Sequence, residues 1–357
     1  MIEKAKIIIV LCLLILIVLV LLKLKQSRED FGMPTGHERP FVNVFGYTKK
    51  DDNKEQINLV LLSHPFTRDS SWTQYEDYKK DKFLILGISS YSEFPKITSN
   101  KLDSLSNPND KAWKHDYMKV VEGWLHCFRE PDKFIDTGIK KLLLSESDFC
   151  NYDTFKPDSA VKKIYDFIYL CPKDSETDEK KSKECFGWVA GNKNWKLALK
   201  CLKVMCGKYK LKGILIGRDG CKLPKECDGL ITTTKFLSQS ELIENYRKSK
   251  FIFVPNKVDA SPRVLTEGLC CDLPVLVNYN LLGGWKYVND KTGSFFNSQK
   301  DIGKGIEYIQ KNYDTLTPRK TFIEQFGKEV AGKKLQNFII DNFNDKLDVN
   351  KYDYLCL

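Results

Sequence analysis

Residues 251–278, FIFVPNKVDASPRVLTEGLCCDLPVLVN, leave the chain little choice of fold. The runs 251–255 and 274–278 are β-branched and aromatic with no polar alternation, the pattern of parallel strands covered on both faces. A short apolar helix joins them, so the stretch reads as a βαβ unit. Ser261 is placed as the N-cap of that helix and Pro262 as its first residue, which sets the positive end of the helix dipole there. Asp259, Arg263 and Glu267 crowd the same entrance, and a helix start of this kind is an anion site.

The alternation of buried strand and covering helix continues along the chain. Strands are expected at 57–63, 83–88, 140–144, 164–171, 214–217 and 230–233. Helices are expected at 194–208, 238–248, 300–313 and 318–343, with 117–128 as an amphipathic segment holding Trp124 and His126. The fold class is therefore α/β, with two doubly wound, Rossmann-like halves. Residues 29–155 would form the first half, 156–320 the second, and 321–357 a C-terminal helix and tail. The polar residues 27–56 read as a stalk, and KDSETDEKKSKE at 173–184 as a solvated loop.

Residues 7–22 are sixteen consecutive apolar positions between Lys4 and Lys6 on one side and Lys23, Lys25 and Arg28 on the other. Segment 1–28 reads as a single-pass membrane anchor with its flanks, since no small-x-small cleavage site follows as a signal peptide would require. The small excess of positive charge after the span favours a cytoplasmic body. The twelve cysteines show no even disulfide framework, and no Asn-x-Ser/Thr acceptor occurs, which agrees with a reducing compartment. The net charge of +10 comes from lysines spread over the whole length, which argues against a nucleic-acid arm and fits an enzyme of anionic substrates.

In a parallel sheet, ligands gather in the loops after the strands. Those loops here hold His64 and Arg68 in SHPFTRD, Glu146 and Asp148 in SESDF, the turn Gly217-Arg218-Asp219-Gly220, and the pair Gly283-Gly284, where backbone can approach a phosphate. Glu146 and Asp148 form a carboxylate-x-carboxylate pair of the kind that holds a divalent cation on a sugar diphosphate.

Residues 164–300 resemble the donor-binding half of the group 1, family-four-like retaining glycosyltransferases, which have the two-domain GT-B fold. The likeness lies in DASPRVLTE, with Asp259 and Glu267 in the two acidic places, and in DLPV at 272–275 where the family has Gly-x-Pro-Val. ILIGRDG, TTTKFLSQSELIENYRKSKFIFVP and GNKNWKLALKCL precede it in the family's order. In the first half, SHPFTRD replaces the usual Gly-rich loop.

The resemblance implies that Glu267 binds the ribose hydroxyls and Asp259 those of the donor sugar. It gives Lys193, Arg263 and the amides near Pro262 the charge of the departing nucleoside diphosphate. Gly217, Arg218, Phe236, Leu237, Ser261, Pro262, Val264, Gly283 and Gly284 would line the donor, and His64 would join Asp259, Glu267, Lys193 and Arg263 at the reacting centre. It further implies a nucleotide-sugar donor, a glycan, lipid or protein acceptor, retention of configuration, and no metal or other cofactor. Two alternatives stay open: a metal-dependent transferase using Glu146 and Asp148, and a non-catalytic, membrane-anchored carbohydrate-binding protein.

Overall fold

The computed structural model describes residues 39–96, 115–173, 185 and 187–357. The anchor expected at 7–22 and nearly all of the loop 173–184 lie outside them. Among the described residues, no helix is long and apolar enough to cross a membrane.

The strands are β1 (Phe41–Thr48), β2 (Asn53–Leu62), β3 (Leu84–Ile88), β4 (Gly123–His126), β5 (Lys140–Leu143), β6 (Tyr165–Leu170), β7 (Gly213–Ile216), β8 (Ile231–Thr234), β9 (Ser249–Val254), β10 (Val275–Asn278), β11 (Gly293–Phe296) and β12 (Tyr354–Cys356). The helices are α1 (Asp69–Lys80), α2 (Tyr117–Val120), α3 (Trp188–Asn192), α4 (Trp195–Gly207), α5 (Gln239–Arg247), α6 (Arg263–Cys270), α7 (Ile302–Asn312), α8 (Pro318–Gln325) and α9 (Gly327–Phe343).

Two six-stranded sheets result, in the orders β12-β1-β2-β3-β4-β5 and β11-β10-β9-β6-β7-β8. The second is parallel throughout. Its chain runs outward from β6 through β7 to β8 and then crosses back to β9, so the order reverses between β6 and β9. That reversal opens a crevice at the C-terminal ends of these two strands, where doubly wound sheets bind ligands. In the first sheet β2 to β5 are parallel, while β1 and β12 extend the edge antiparallel.

Strand side chains sort by parity onto the two faces. In the first sheet Leu59, Leu61, Leu84 and Leu86 pack under α9 through Ala331, Leu335, Phe338 and Ile339. Val60, Leu62, Ile85 and Trp124 face the opposite side with Phe66, Phe94 and Tyr117. In the second sheet Phe167, Tyr169, Leu215 and Phe253 meet α4 and α7, whereas Ile168, Ile214, Ile252 and Val254 meet α5 and α6. Helix α6 lies so close to β9 that a Cβ at Gly268 would stand 1.8 Å from Ile252 Cδ1.

Several sequence expectations need correction. The stalk expected at 27–56 contains β1 and the start of β2, because Phe41, Val42 and Val44 are buried despite their polar neighbours. Segment 117–128 divides into the short α2 and the buried β4 rather than forming one amphipathic element. The single helix expected over 318–343 breaks at Gly327, whose φ of +77° a helix cannot accommodate. The tail adds β12 to the edge of the first sheet, and β11 was not anticipated. Cys185 and Cys221 are joined in a disulfide, contrary to the absence of cross-linking read from cysteine spacing.

Asp272 takes the place where the resembling family carries Gly, and its φ is +61°. Asp tolerates this left-handed conformation better than most residues. Its carboxylate also accepts the Arg319 amide at 3.0 Å. Arg319 in turn gives its guanidinium to the carbonyls of Tyr152 and Phe155 at 2.9 Å each, fixing the segment that joins the two sheets.

Candidate active site

The loop after β9 and the end of α3 meet in the crevice of the second sheet. The Lys257 amide donates to Asn192 O at 3.1 Å, and the Tyr169 hydroxyl donates to Lys193 O at 2.9 Å. Those two bonds carry Lys193 to Asp259, where Lys193 Nζ stands 2.6 Å from Asp259 Oδ2. Asn256 Nδ2 donates to the same oxygen at 2.8 Å. With both donors on Oδ2, Oδ1 has no hydrogen bond among the described residues. The buried Asn192 Oδ1, on the residue before Lys193, has no hydrogen-bond partner among the described residues either. Asn256 was not anticipated, and its place three residues before Asp259 was the available signal.

Glu267, one turn into α6, accepts the Tyr246 hydroxyl on Oε2 at 2.8 Å. Burial raises the Glu267 carboxyl above its usual range, against the opposing pull of Arg263, the Tyr246 bond and Lys193. Lys193 and Arg263 are thus both within electrostatic reach of Glu267. Val264 lies between Arg263 and the apolar base of α6 and packs into the core.

The helix start differs from expectation. Helix α6 begins at Arg263, with Pro262 in the cap position and no side-chain cap. Ser261 instead crosses to the first sheet, accepting the Ser147 amide at 2.9 Å and donating to Ser147 Oγ at 3.0 Å. It serves the contact between the two halves rather than the helix.

Gly283 and Gly284 are also committed elsewhere. The Gly283 amide donates to Asp259 O at 3.0 Å, and a Cβ there would lie 1.8 Å from Ala260 O. Gly284, at φ +82°, passes close to Pro262. The two glycines let this loop press against the Asp259 loop, so they shape the site from behind and leave no free Gly283 amide for a phosphate.

Gly217, at φ +84°, gives its amide to Thr234 O and passes Pro172 closely. Arg218, expected in the donor pocket, is buried. Its guanidinium donates to Cys171 Sγ at 3.3 Å and to Cys185 O at 3.0 Å, and lies 5.3 Å from the Trp195 ring centre. Those contacts belong to the core beside the disulfide. Phe236 and Leu237 follow β8 at the far edge of the sheet, Phe236 exposed and Leu237 packed on the core.

The first half contributes the opposite wall. Glu146 forms a two-bond fork with Arg39, at 2.7 and 2.9 Å. Burial alone would raise the Glu146 carboxyl, but Arg39 holds it below the usual range. Asp148 closes a capping box with Ser145, accepts the Tyr287 hydroxyl at 2.8 Å and pairs with Lys286. The two carboxylates are therefore divided between separate cations, Arg39 for Glu146 and Lys286 for Asp148, where the metal-dependent alternative would have them share a metal.

His64 lies at the end of β2, and burial with the nearby Arg39 lowers its pKa to about 4. His126, at the end of β4, was read from sequence only as part of an amphipathic run. It is buried, its Nδ1 has no hydrogen bond among the described residues, and burial together with Lys286 and Lys141 lowers its pKa to about 4. Next to it, Cys127 O accepts the Trp285 indole at 2.8 Å. Arg129 lies 4.3 Å from the ring centre of Tyr279 and 5.2 Å from that of Trp285. A buried imidazole with an unused nitrogen, on a strand end that touches the other half, is a site candidate.

No family model matches the chain, and no curated protein matches it. Solved structures do. The pneumococcal O-GlcNAc transferase GtfA, in complex with UDP and GlcNAc, superposes with a TM-score of 0.52 at 12% identity, over 80% of this chain and 57% of that one. Anabaena HepE, in complex with UDP and glucose, gives 0.51 at 9% identity over 76% and 75%. Sucrose-phosphate synthase from Thermosynechococcus elongatus gives 0.50 at 11% identity over 76% and 70%. The chain thus spans little more than half the length of the pneumococcal enzyme. At these identities the likeness is one of fold: the two-sheet architecture is the one these glycosyltransferases share.

Proposed function

We propose that the chain is a retaining glycosyltransferase that moves a sugar from a nucleotide-sugar donor to a glycan, lipid or protein acceptor without a metal ion. The observation that carries the reading is the pairing of Lys193, Asn256 and Asp259 beside Glu267 at the strand-order reversal of the second sheet. That is where this fold type holds nucleotides, and the fold is shared with proteins solved with UDP.

The geometry supports the roles that the resemblance implies. Glu267 keeps one oxygen beyond the Tyr246 bond, and a carboxylate oxygen accepts ribose hydroxyls. Asp259 likewise keeps Oδ1 for a hydroxyl of the donor sugar. Bond cleavage builds charge on the diphosphate, and Lys193, Arg263 and the first amides of α6 are the preorganised donors for it. Lys193 rests on Asp259 until the diphosphate arrives to share it. Glu146 and Asp148 already have cationic partners, which is why the charge stabilisation is assigned to these side chains and not to a metal.

The test is turnover of a panel of nucleotide sugars by the purified protein, with and without chelator, and the anomeric configuration of the product by NMR. Transfer with retention that is unchanged by chelator is expected. Inversion or loss in chelator would overturn those parts of the reading, and binding without turnover would favour the non-catalytic alternative.

A further inference from the structure

We infer that the cavity beside β1, β2 and α1 is the acceptor subsite, and that its acceptor presents both a hydroxyl and an oxyanion, as in a sugar phosphate or a uronic acid. This rests on the glycosyltransferase reading and adds the chemistry of the second substrate. The cavity has a volume of about 530 Å3, and its lining includes Arg39, His64, Arg68, Ser70 and Gln74.

The hydroxyl requirement comes from the tautomer of His64. Ser63 Oγ donates its one hydrogen to Pro40 O at 2.8 Å. Its 2.9 Å contact with His64 Nδ1 must then run the other way, with Nδ1–H donating to Ser63 Oγ. The neutral ring has only one such hydrogen, so Nε2 carries a lone pair. A residue that lines a cavity with a hydrogen-bond acceptor of this kind suits an incoming O–H.

The anion requirement comes from the arginines. Arg39 is already held by the two-bond fork from Glu146. Arg68 is exposed at the cap position of α1 and has no ion pair among the described residues. A neutral polyol needs no guanidinium, whereas phosphate and carboxylate oxygens match its paired N–H groups. The twelve-residue helix α1 adds its positive end on the same side.

The cavity lies toward the donor side: Glu146, forked to the lining Arg39, is within electrostatic reach of Arg263. The His64 ring lies 5.1 Å from that of Tyr91, and Tyr91 stacks at 6.0 Å on Trp188, five residues before Lys193. An acceptor seated by Arg68 can therefore extend past His64 along these rings toward Lys193 and Asp259.

The experiment is calorimetric titration of the protein, kept saturated with UDP, with glucose 6-phosphate, glucuronate and glucose at matched ionic strength. At least one of the two anions should bind tenfold or more tightly than glucose, and the two arms separate a phosphate from a carboxylate. Arg68→Gln should abolish the preference and Arg68→Lys should recover part of it, with melting temperatures unchanged. Equal binding of glucose and both anions, no binding of any of them, or an anion preference that survives Arg68→Gln would overturn the inference. A separate titration of UDP into the UDP-free protein tests the donor reading on its own, since it depends on the other crevice.

Discussion

Lys193 Nζ and Asp259 Oδ2 stand 2.6 Å apart, with side-chain exposures of 19% and 16%. The pair joins the end of α3 to the loop after β9, and it puts a cation and an anion side by side where a diphosphate and a sugar are expected. The two substitutions should therefore act in opposite directions on binding. Lys193→Met removes a donor to the diphosphate, and transfer should fall by about 100-fold, in the range found when one preorganised donor is deleted. Asp259→Asn removes a negative charge next to that phosphate, so UDP should bind as well or better while transfer falls. Titration of UDP beside steady-state rates checks this, and weaker UDP binding by Asp259→Asn would remove Asp259 from its place near the sugar.

Glu267 supplies a prediction on stability as well as on binding. Its folded carboxyl is raised above the unfolded value, chiefly by burial. Such a group favours folding below its unfolded pKa and loses that contribution as pH rises through the folded one. At pH 7 the buried charge is thus a cost, and Glu267→Gln should raise the melting temperature there. The gain should vanish below about pH 4, where carboxyls are protonated in both states. The same variant should weaken UDP binding by about 10-fold or more, since hydrogen bonds to a charged partner contribute roughly 1.5–3 kcal/mol. A melting temperature that drops at pH 7 would show that Arg263 and Lys193 outweigh the burial.

Much of the second half was legible because its strands, buried on both faces, read as uninterrupted apolar runs with Gly or Pro punctuation. Phe251 to Val254 and Val275 to Val277 are of this kind. β1 was missed because Asn43 and Gly46 interrupt its apolar residues, and β12 because three residues at a chain end carry too little pattern. Within the site, Asp259 and Lys193 could be brought together from sequence only by resemblance, as 66 residues separate them. Arg218 reads from sequence as a ligand-facing group because it follows a strand, and its packing against Cys185 of the disulfide and Trp195 has no signal in the local sequence. Ser261 reads as a helix cap because the partner it uses, Ser147, lies in the other half.

The contact between the halves centres on a buried ion pair. Lys286 and Asp148 are paired with side-chain exposures of 7% and 2%, and the Tyr287 hydroxyl donates to the same carboxylate at 2.8 Å. Removing one partner strands the other as a buried charge, a loss of about 3–5 kcal/mol. Asp148→Asn should therefore destabilise the protein by that order, measured by urea unfolding. Asp148→Asn combined with Lys286→Met should recover part of the loss, because no charge is then left unpaired. If the double variant is no more stable than the single one, the ion pair itself, rather than the stranded charge, accounts for the effect.

His126 sets a pH limit from the other direction. Its folded pKa is lowered from 6.5 to about 4, first by burial and then by Lys286 and Lys141. A depressed histidine contributes stability that is complete above its unfolded pKa and is lost as pH falls through the folded one. The window is therefore pH 6.5 to 4, and at about 1.4 kcal/mol per pKa unit the loss is roughly 3 kcal/mol. His126→Gln has no charge to bury, so its urea-unfolding stability should decline less than that of the unsubstituted protein over this window. His64 titrates in the same interval and is present in both proteins, so the difference between the two curves isolates His126. Transfer distinguishes a site role from a purely structural one. If the unused Nδ1 faces the donor sugar, His126→Gln should lower kcat at pH 7.5, where both proteins are fully folded, and unchanged kcat there would confine His126 to the core.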